Sequence, residues 1–372
     1  MKIMISGGGT GGHIYPAIAL AKKIRNIKDN IKIVWVGTER KLERKLIAKT
    51  DFHFEIIKSR GFRNNNLFDR FYSLLLLSIG FFQSIFLILK YKPDVILGMG
   101  GYACAPTVLA GSILKKKTAL FEPNVIMGRA NRFLKKWVDM IFVSHKKTVE
   151  ETSDKKYNFV GNIVREDLYN IPSKEWAREY FGLDPNKKTV LISGGSQGSL
   201  AINRFMLGVI SYLDKIKDIQ FLHITGIKNY EEFKKRFLRT FKNEEVKNYK
   251  FLPYVHDMHF AYAASDLVIC RAGANTISEI ICLGIPSILI PFPYAIDDHQ
   301  IINAKILKDI DAAIVIPENK LSATDLSDII YTLIKDEKRL CEIGDLAKTL
   351  NQPKAVEKMS RGLIKLAEKK IN

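Results

Sequence analysis

Short apolar runs alternate with longer stretches of helical periodicity from one end of the chain to the other. The short runs are rich in β-branched residues, which predicts buried parallel strands, and the amphipathic stretches between them predict crossover helices. The predicted strands of the first half are Lys2–Ser6, Ile31–Val36, Phe54–Ile57, Asp94–Leu97, Thr118–Phe121 and Met140–Val143. Those of the second half are Thr189–Ser193, Gln220–Thr225, Lys250–Leu252, Asp266–Cys270, Ser287–Ile290 and Ala313–Val315. Predicted helices include Pro16–Ile27, Asn203–Ile216 and Ala323–Lys335.

A strand that runs into a glycine-rich loop and then into a helix occurs twice. Lys2–Ser6 leads into Gly7–Gly12, and Thr189–Ser193 leads into Gly194–Gly198. This repetition predicts an α/β chain of two doubly wound, Rossmann-like domains facing a central cleft, with ligands bound beyond the carboxyl ends of the strands. The predicted divisions are 1–163, 164–345 and 346–372. The last is a C-terminal helical segment of one or two amphipathic helices.

The segment Phe71–Leu89 contains no charged residue and reaches the lower limit of length for a membrane-spanning helix. A span would put the strands before and after it on opposite sides of a bilayer, whereas the pattern predicts that they share one sheet. We therefore interpret the segment as a crossover helix. Its outer face would carry more apolar side chains than is usual for a helix face exposed to water.

Charge is distributed unevenly over the 372 residues, whose net charge is +19. Residues 1–163 contain 28 Lys and Arg against 12 Asp and Glu, an excess of +16, whereas residues 164–372 carry only +3. A lysine-rich composition alone would affect both halves alike, so the asymmetry indicates an anionic partner of the first half. An anionic membrane surface, a polyanionic substrate and nucleic acid all fit at this point.

The cysteines and one acidic loop argue against disulfide and metal chemistry. Cys104, Cys270, Cys282 and Cys341 have no CxxC spacing, so we interpret them as buried thiols of a reduced, cytosolic protein. No secretory signal precedes the first strand, which also favours the cytoplasm. The run Asp297-Asp298-His299 is a weak metal candidate, since adjacent residues on one loop rarely all face one ion. We expect no metal.

The loop Gly7-Gly8-Gly9-Thr10-Gly11-Gly12 follows the first predicted strand and ends at His13. Small residues let backbone N–H groups approach an oxyanion closely, although a tight turn that merely needs glycine has the same pattern. The loop also matches GxGxxG, but the acidic residue that a dinucleotide site needs about 20 positions on is missing, since Glu39 comes late. A helix N-terminus disfavours imidazolium, so His13 is a candidate general base. The alternative is a histidine that only hydrogen-bonds the loop.

Two stretches of the second half predict helix N-termini that bind anions. In Gly194-Gly195-Ser196-Gln197-Gly198, the side chain of Ser196 and the following amides would present donors to a diphosphate. The stretch Arg271–Glu279 follows another predicted strand and again opens a helix at Gly273. Glu279 lies one helical turn after Asn275, and its carboxylate can accept both hydroxyls of a ribose. The alternative for Glu279 is a plain surface carboxylate.

Five motifs occur in a recognisable order. They are Gly8-Gly9-Thr10-Gly11-Gly12-His13, the stretch Lys92–Tyr102, Gly194-Gly195-Ser196-Gln197-Gly198, Arg271-Ala272-Gly273-Ala274 and Asp298-His299-Gln300. With them the chain resembles, over nearly its whole length, the MurG family of bacterial N-acetylglucosaminyltransferases. The resemblance implies the GT-B fold and inverting transfer from UDP-N-acetylglucosamine. The implied acceptor is undecaprenyl-pyrophosphoryl-N-acetylmuramoyl-pentapeptide (lipid I), and the implied product is lipid II.

The resemblance also implies contacts with the donor at matching positions. Thr10, Gly11 and Gly12 would lie against its sugar and phosphates, and Asn124 and Gln300 against the sugar. Arg165 matches a hinge arginine, and Ser196, with Gln197 and Gly198, matches the phosphate loop. Val255 would pack on uracil, and Ala274, Asn275, Thr276 and Glu279 would surround the diphosphate and ribose. The family commonly has His-Glu-Gln-Asn where this chain has Phe121-Glu122-Pro123-Asn124, and Pro where Ile163 stands.

We expect a single displacement in which His13 deprotonates the 4-hydroxyl of the acceptor. Helix N-termini at Ser196 and Ala274 would stabilise the leaving diphosphate, so no cofactor is required. The N-terminal domain would bind the acceptor and the C-terminal domain the UDP-sugar. The enzyme would bind peripherally to the cytoplasmic face of an anionic membrane, and not to nucleic acid.

Three other functions stay open. An NAD-dependent oxidoreductase could use the first glycine loop, but it leaves the second loop and Gly273–Glu279 without a role. A non-catalytic module could bind a nucleotide-sugar or nucleic acid, as the basic first half allows. A glycolipid synthase of the same fold could use a diacylglycerol acceptor.

Overall fold

All neighbouring strands that the computed structural model describes run parallel, and they form two separate sheets. The structure describes residues 1–8, 11–61, 66–150, 152–195, 197–213, 218–242, 246 and 248–369. Unit 1 comprises Met1–Arg165 and Gln352–Asn372, and unit 2 comprises Glu166–Asn351. Each unit has its own sheet and its own apolar core, which confirms the predicted α/β chain of two domains.

The strands follow the predicted pattern closely. In unit 1 they are β1 (Lys2–Ser6), β2 (Lys32–Gly37), β3 (His53–Ile56), β4 (Val95–Gly98), β5 (Lys117–Glu122), β6 (Met140–Val143) and β7 (Tyr157–Phe159). In unit 2 they are β8 (Lys188–Ser193), β9 (Ile219–Ile224), β10 (Tyr249–Leu252), β11 (Leu267–Cys270), β12 (Ser287–Leu289) and β13 (Ile314–Val315). The spatial orders are β3-β2-β1-β4-β5-β6-β7 and β10-β9-β8-β11-β12-β13. In each sheet the strand order changes direction at the first strand, β1 or β8, from which the chain builds outward on both sides. Ligands of such sheets bind beyond the carboxyl ends of the strands at this point.

Helices connect the strands. In chain order they are α1 (Gly11–Ile27), α2 (Lys41–Ile47), α3 (Leu67–Tyr91), α4 (Ala105–Ile113), α5 (Arg129–Leu134), α6 (Lys146–Glu150), α7 (Lys174–Tyr180), α8 (Leu200–Leu213), α9 (Tyr230–Thr240), α10 (Met258–Ala264), α11 (Ala274–Leu283), α12 (His299–Lys308), α13 (Ala323–Lys335), α14 (Glu337–Thr349) and α15 (Ala355–Glu368). Short 3₁₀ turns cover Glu166–Tyr169, Ile296–Asp298 and Glu318–Lys320. All twelve predicted strands are present with ends shifted by at most one residue. The sequence pattern missed β7, which has only three residues, all half-buried.

Two predicted helices begin earlier than expected. α1 begins at Gly11 rather than at Pro16, so the end of the glycine loop forms its first turn. Proline at a helix start is a common boundary signal, which explains the late prediction. α8 begins three residues before Asn203, and the predicted end at Ile216 lies outside the described residues.

The C-terminal segment does not form a unit of its own, in contrast to the predicted division at residue 346. α14 packs on α11 and α13 of unit 2, whereas α15 packs on α1 of unit 1. Met359 and Leu363 of α15 are fully buried in the core that contains Ile3 and Phe142. α15 packs on unit 1 because this buries its apolar face. The burial of each such side chain stabilises the fold by about 1.5–3 kcal/mol.

α3 is the crossover between β3 and β4, and these two strands belong to one sheet. Its inner face carries small residues, and Gly80 lies so close to the Lys58 carbonyl that a Cβ would overlap it. Among the described residues α3 alone is long and apolar enough to cross a membrane, and 28% of its most apolar window is buried. The inner face of α3 is therefore closely packed against unit 1, whereas most of its outer face is exposed.

Arg178 and Asp266 form a buried ion pair at the amino edge of the unit 2 sheet. Arg178 donates to Asp266 Oδ2 at 2.7 Å and to the carbonyls of Ala264 and Pro185, and Asp266 also accepts from the Thr189 N–H. Removing Arg178 would leave the buried Asp266 carboxylate with one charged partner, the half-exposed Lys174 ammonium at 2.7 Å, so we expect Arg178→Ala to lower the free energy of unfolding by about 2–3 kcal/mol. Urea denaturation measures this. An unchanged free energy of unfolding would show that the pair does not stabilise the fold.

Candidate functional site

His13 is the third residue of α1, and its imidazole lies against two glycines that follow β4. Gly100 and Gly101 have φ angles of 97° and 73°, in the left-handed region. A Cβ on Gly100 would lie 3.1 Å from the ring's Cε1, and one on Gly101 would lie 3.4 Å from Nε2. The Gly100-Gly101-Tyr102 motif therefore provides the turn and the space that seat the ring at the carboxyl edge of the sheet.

The protonation of His13 is set by its burial. Burial lowers the pKa of His13 below its usual value of 6.5, and the backbone of Met99 opposes this only in part. Nδ1 is buried and has no hydrogen-bond partner among the described residues. At neutral pH the ring is uncharged, so one nitrogen can accept a proton. That is the state which a general base requires.

Asn124 is held by a buried carboxylate at the end of β5. Its backbone N–H and its Nδ2 both donate to Glu122 Oε1, at 3.0 and 2.9 Å. Glu122 Oε2 accepts from the Gly128 N–H and from Asn131 Nδ2, each at 2.9 Å. Burial raises the pKa of Glu122, whereas these hydrogen bonds favour its ionised form. The network fixes the loop that presents Asn124 beyond the strand.

Glu43 supports the first glycine loop, and the sequence pattern did not single it out. It is fully buried, and it accepts from the Trp35 indole at 3.0 Å and from the Thr38 N–H at 3.1 Å. A Cβ on Gly8 would lie 2.6 Å from Glu43 Oε2, so the carboxylate packs directly on the loop. Burial raises the pKa of Glu43, and the hydrogen bonds oppose this. An acidic residue in the cationic helix α2 is typical of a solvated face, which is why its role was not predicted.

Two arginines of unit 1 pair with tyrosine rings near these loops. Arg40 donates a hydrogen bond to the Tyr102 hydroxyl. The Arg165 guanidinium lies 5.2 Å from the centroid of the Tyr15 ring on α1, and a Cβ on Gly11 would lie 3.3 Å from the same ring. The structure therefore brings the predicted residue Arg165 to the Tyr15 ring of α1, on which Gly11 also packs.

In unit 2 the loop Gly194–Ser199 joins β8 to α8. Gly195 and Gly198 have φ angles of 81° and 72°, and the Gly198 N–H donates to the Gly195 carbonyl at 2.9 Å. Gln197 is exposed in this turn. Ser196, like Thr10 of the first loop, lies outside the described residues. The turn leads into the N-terminus of a 14-residue helix, a geometry that binds anions.

α11 begins at Ala274 after the cap residue Gly273, so Asn275 and Thr276 lie in its first turn. One turn further, Glu279 is half-buried, and its Oε2 accepts from the Tyr262 hydroxyl at 2.7 Å. Val255 is 8% exposed and precedes α10, the helix that carries Tyr262. The tyrosine thus orients the Glu279 carboxylate.

Arg271 ties together the loops at the carboxyl edge of the unit 2 sheet. The buried guanidinium donates to Ser199 Oγ at 2.7 Å, to the Ile290 carbonyl at 3.1 Å and to Glu318. It also lies 5.3 Å from the centroid of the Phe292 ring. The sequence placed Arg271 in a motif without giving it a role. One buried cation, which also stacks on an aromatic ring, here connects three loops.

Gln300 is the second residue of α12, and its Oε1 accepts from the Phe292 N–H at 3.0 Å. Asp297 and Asp298 have φ angles of 53° and 51°, so the backbone turns sharply before this helix. Within the described residues no group of three or more His, Cys, Asp or Glu is arranged to hold a metal ion. The weak metal interpretation of Asp297-Asp298-His299 therefore gains no support from additional ligands.

The predicted site residues fall into one group in each unit. Gly11, Gly12, His13, Asn124 and Arg165 belong to unit 1, and Gln197, Gly198, Val255, Ala274, Asn275, Thr276, Glu279 and Gln300 belong to unit 2. Most of them lie at or after carboxyl ends of strands, as parallel sheets require of ligand sites. Their roles stay predictions.

Two family models match the two halves of the chain. The model of the glycosyltransferase family 28 N-terminal domain matches residues 3–143, and that of the family 28 C-terminal domain matches residues 189–359. The chain is 39% identical over 361 residues to a UDP-N-acetylglucosamine–N-acetylmuramyl-(pentapeptide) pyrophosphoryl-undecaprenol N-acetylglucosamine transferase from Halothermothrix orenii, with 95% of each chain covered. It is 36% identical over 360 residues to the Bacillus subtilis protein of the same name, with 96% and 98% covered.

A solved structure shows the same similarity. The crystal structure of Acinetobacter baumannii MurG matches with a TM-score of 0.74 at 25% identity, and the match covers 98% of this chain and 99% of that one. The sheet orders, the two domain matches and this structure together establish the two-domain GT-B fold.

Proposed function

The chain belongs to glycosyltransferase family 28 and is a glycosyltransferase, and on this premise we propose that it transfers N-acetylglucosamine from UDP-N-acetylglucosamine to lipid I. The accepting atom is the 4-hydroxyl oxygen of the muramoyl sugar, and the product is lipid II. The observation that carries this proposal is the identity of 34–39% along nearly the whole length to transferases named for that reaction.

Unit 2 holds the donor in this proposal. The N-termini of α8 and α11 present amides to the diphosphate, where helix dipoles favour negative charge by about 0.3–1 kcal/mol each. Val255 packs on uracil and Glu279 accepts the ribose hydroxyls. As the glycosidic bond breaks, UDP leaves with the electron pair, and the same amides stabilise the added charge. The reaction therefore needs no metal or other cofactor.

Unit 1 supplies the groups for the acceptor. The 4-hydroxyl oxygen attacks the anomeric carbon with inversion, and its proton moves to the unprotonated nitrogen of the His13 imidazole. Asn124, fixed by the Glu122 carboxylate, orients the transferred sugar. The buried, neutral state of His13 and its seat against Gly100 support this role.

The direct test is transfer of labelled N-acetylglucosamine by the full chain to lipid I, to a diacylglycerol and to water. We expect labelled lipid II from lipid I and inversion at the anomeric carbon. Transfer to diacylglycerol with none to lipid I would identify a glycolipid synthase. Tight NADH binding without any transfer would favour an oxidoreductase.

Glu279→Ala is expected to weaken UDP binding. A ribose hydroxyl that donates to a carboxylate loses a hydrogen bond of about 1.5–3 kcal/mol, which corresponds to about 10–150-fold in affinity. Isothermal titration of the full chain with UDP measures this. Tyr262→Phe, which removes only the hydroxyl that orients Glu279, should show a smaller loss. Glu342→Ala, an exposed carboxylate on α14, is the matched control, and equal losses in it and Glu279→Ala would exclude the ribose role.

We further propose that unit 1 docks on the cytoplasmic face of an anionic membrane. The outer face of α3 exposes ten large apolar side chains: Leu67, Phe68, Phe71, Tyr72, Leu74, Leu75, Ile79, Phe82, Phe86 and Leu89. Soluble proteins rarely expose a continuous apolar surface of this kind unless a partner or a membrane covers it. Ile113 at the end of α4, which packs on α3, is also exposed, as are Phe133 and Trp137 on and after α5, which packs on α4.

The charges around this surface support a membrane as its occupant. Exposed cations flank both ends of α3 at Arg70, Lys90 and Lys92, and Lys115 and Lys136 accompany the exposed residues Ile113 and Trp137. An apolar helix face bordered by cations is typical of an interfacial helix. These cations are part of the +16 excess of residues 1–163. Arg63, another cation that precedes α3 in the sequence, lies outside the described residues.

A further inference from the structure

The turn Thr225–Gly226, which follows β9, packs directly on the Gly194–Ser199 loop. A Cβ on Gly226, whose φ is 89°, would lie 2.6 Å from the Gly198 Cα and 2.8 Å from the Gln197 carbonyl oxygen. A Cβ on Gly198 would overlap the Thr225 carbonyl. Because real Cβ atoms do not approach backbone atoms within 3.0 Å, the two turns can touch only if both residues are glycine. The position of one turn therefore sets the position of the other.

Asn203 holds the Thr225 carbonyl in place. Its Nδ2 donates to the Thr225 carbonyl oxygen at 3.0 Å, and its backbone N–H donates to the Ser199 carbonyl at 2.9 Å. The Thr225 N–H and hydroxyl both donate to the Leu252 carbonyl, at 3.0 and 3.2 Å. Asn203 is 2% exposed. One buried amide thus joins the end of the glycine loop to the turn that supports it.

His223 and Tyr249 orient this amide. The His223 ring lies between the Tyr249 hydroxyl, 2.5 Å from Nδ1, and Asn203 Oδ1, 3.0 Å from Nε2. Burial lowers the pKa of His223 to about 3, so the ring is neutral and carries one N–H. Asn203 Oδ1 can only accept, so Nε2 donates to it, and Nδ1 accepts from the Tyr249 hydroxyl. All hydrogen bonds therefore run in one direction from Tyr249 to the Thr225 carbonyl.

We propose that Tyr249, His223 and Asn203 form a positioning network that, through the Thr225–Gly226 turn, holds Gly198 and the approach to α8 in the position that the donor diphosphate requires. The inference rests on the proposed function, in which that loop binds the diphosphate. None of these side chains needs to touch the donor. The network acts by removing alternative positions of the loop, because a fully satisfied buried polar network specifies one arrangement.

The test compares the affinity of the full chain for UDP with its affinity for uridine, which lacks the phosphates. Gly226→Ala displaces the loop, and we expect a loss of about 10–100-fold for UDP, since shifts of about 1 Å can cost that much. Uridine affinity should change by less than about twofold. Gly182→Ala is the matched control: Gly182 also has a positive φ, of 66°, but only the Lys250 Nζ, at 3.9 Å, lies near its Cβ position.

If the Gly226→Ala variant does not fold, Tyr249→Phe tests the positioning network instead. It removes one hydroxyl at the start of the network, and we expect UDP affinity to fall about 2–10-fold with uridine affinity unchanged. A lower melting temperature with an unchanged ratio of UDP to uridine affinity would reduce the network to a structural role and overturn the inference. If the wild-type chain binds UDP no more tightly than uridine, the chain has no diphosphate site. That outcome would contradict the proposed function itself, and not only the positioning network.

Discussion

His13→Ala is expected to lower turnover with lipid I by about 10²–10⁴-fold, the usual loss when a positioned general base is removed. The affinity for UDP should stay within about twofold of wild type, because the His13 side chain is not among the proposed contacts with the uridine or the diphosphate. Labelled transfer under saturating donor measures the first quantity, and isothermal titration measures the second. His53→Ala is the matched control, since His53 begins β3 at the opposite, amino edge of the same sheet.

The pH profile distinguishes a base from a structural histidine. The unprotonated ring is the active form, so the rate falls as pH drops through the pKa of His13. Burial lowers that pKa, which places the acid limb of kcat/KM below pH 6.5 in the wild-type enzyme. His13→Ala should lose this limb together with the rate. A variant that keeps near-full turnover, or one that loses donor affinity and turnover equally, would show that His13 only seats the loop.

Local patterns were sufficient for the sheets. β1 and β6 were predicted to the residue, because a buried parallel strand is a short apolar run between polar boundaries. The two glycine loops were found for the same local reason, since only glycine allows such close backbone contacts. By contrast, β7 has three half-buried residues and gives almost no periodic signal.

The missed features all depend on contacts between distant parts of the chain. Glu43 looks like a solvated charge until the approach of Gly8 and Trp35 shows that it is buried. The ties of Arg271 to Ser199 and Glu318 span 72 and 47 residues, which no local pattern encodes. The sequence of α15 predicts an amphipathic helix but does not show which unit its apolar face packs on. Only the tertiary structure shows that this face is buried in the core of unit 1.

The place of α15 also determines how membrane binding has to be tested. A fragment that ends at residue 163 would lack Met359 and Leu363, which are buried in the unit 1 core, and would expose that core to lipid. Binding by such a fragment would therefore overstate the affinity of the native surface. The experiment needs the full chain, with substitutions confined to the outer face of α3.

The triple variant Phe71→Ser, Phe82→Ser and Phe86→Ser is expected to lower the affinity for anionic vesicles by at least about 10²-fold. These rings are 65–70% exposed and share one helix face, and complete burial of each contributes about 1.5–3 kcal/mol. Co-sedimentation with vesicles of mixed neutral and anionic lipid measures the loss. Trp176→Ser with Tyr180→Ser, two exposed aromatic rings of unit 2, is the matched control.

Charge reversal at Arg70, Lys90 and Lys92 tests the electrostatic part of the same contact. Each cation near an anionic surface contributes about 1 kcal/mol, so their replacement by Glu should cost about 150-fold or more. High salt should weaken wild-type binding and have little further effect on this variant, because surface charges are screened within about 10 Å at 0.1 M salt. UDP affinity should stay unchanged in both triple variants. If both bind vesicles as tightly as the wild type, or if the unit 2 control loses as much, the docking face lies elsewhere on the chain.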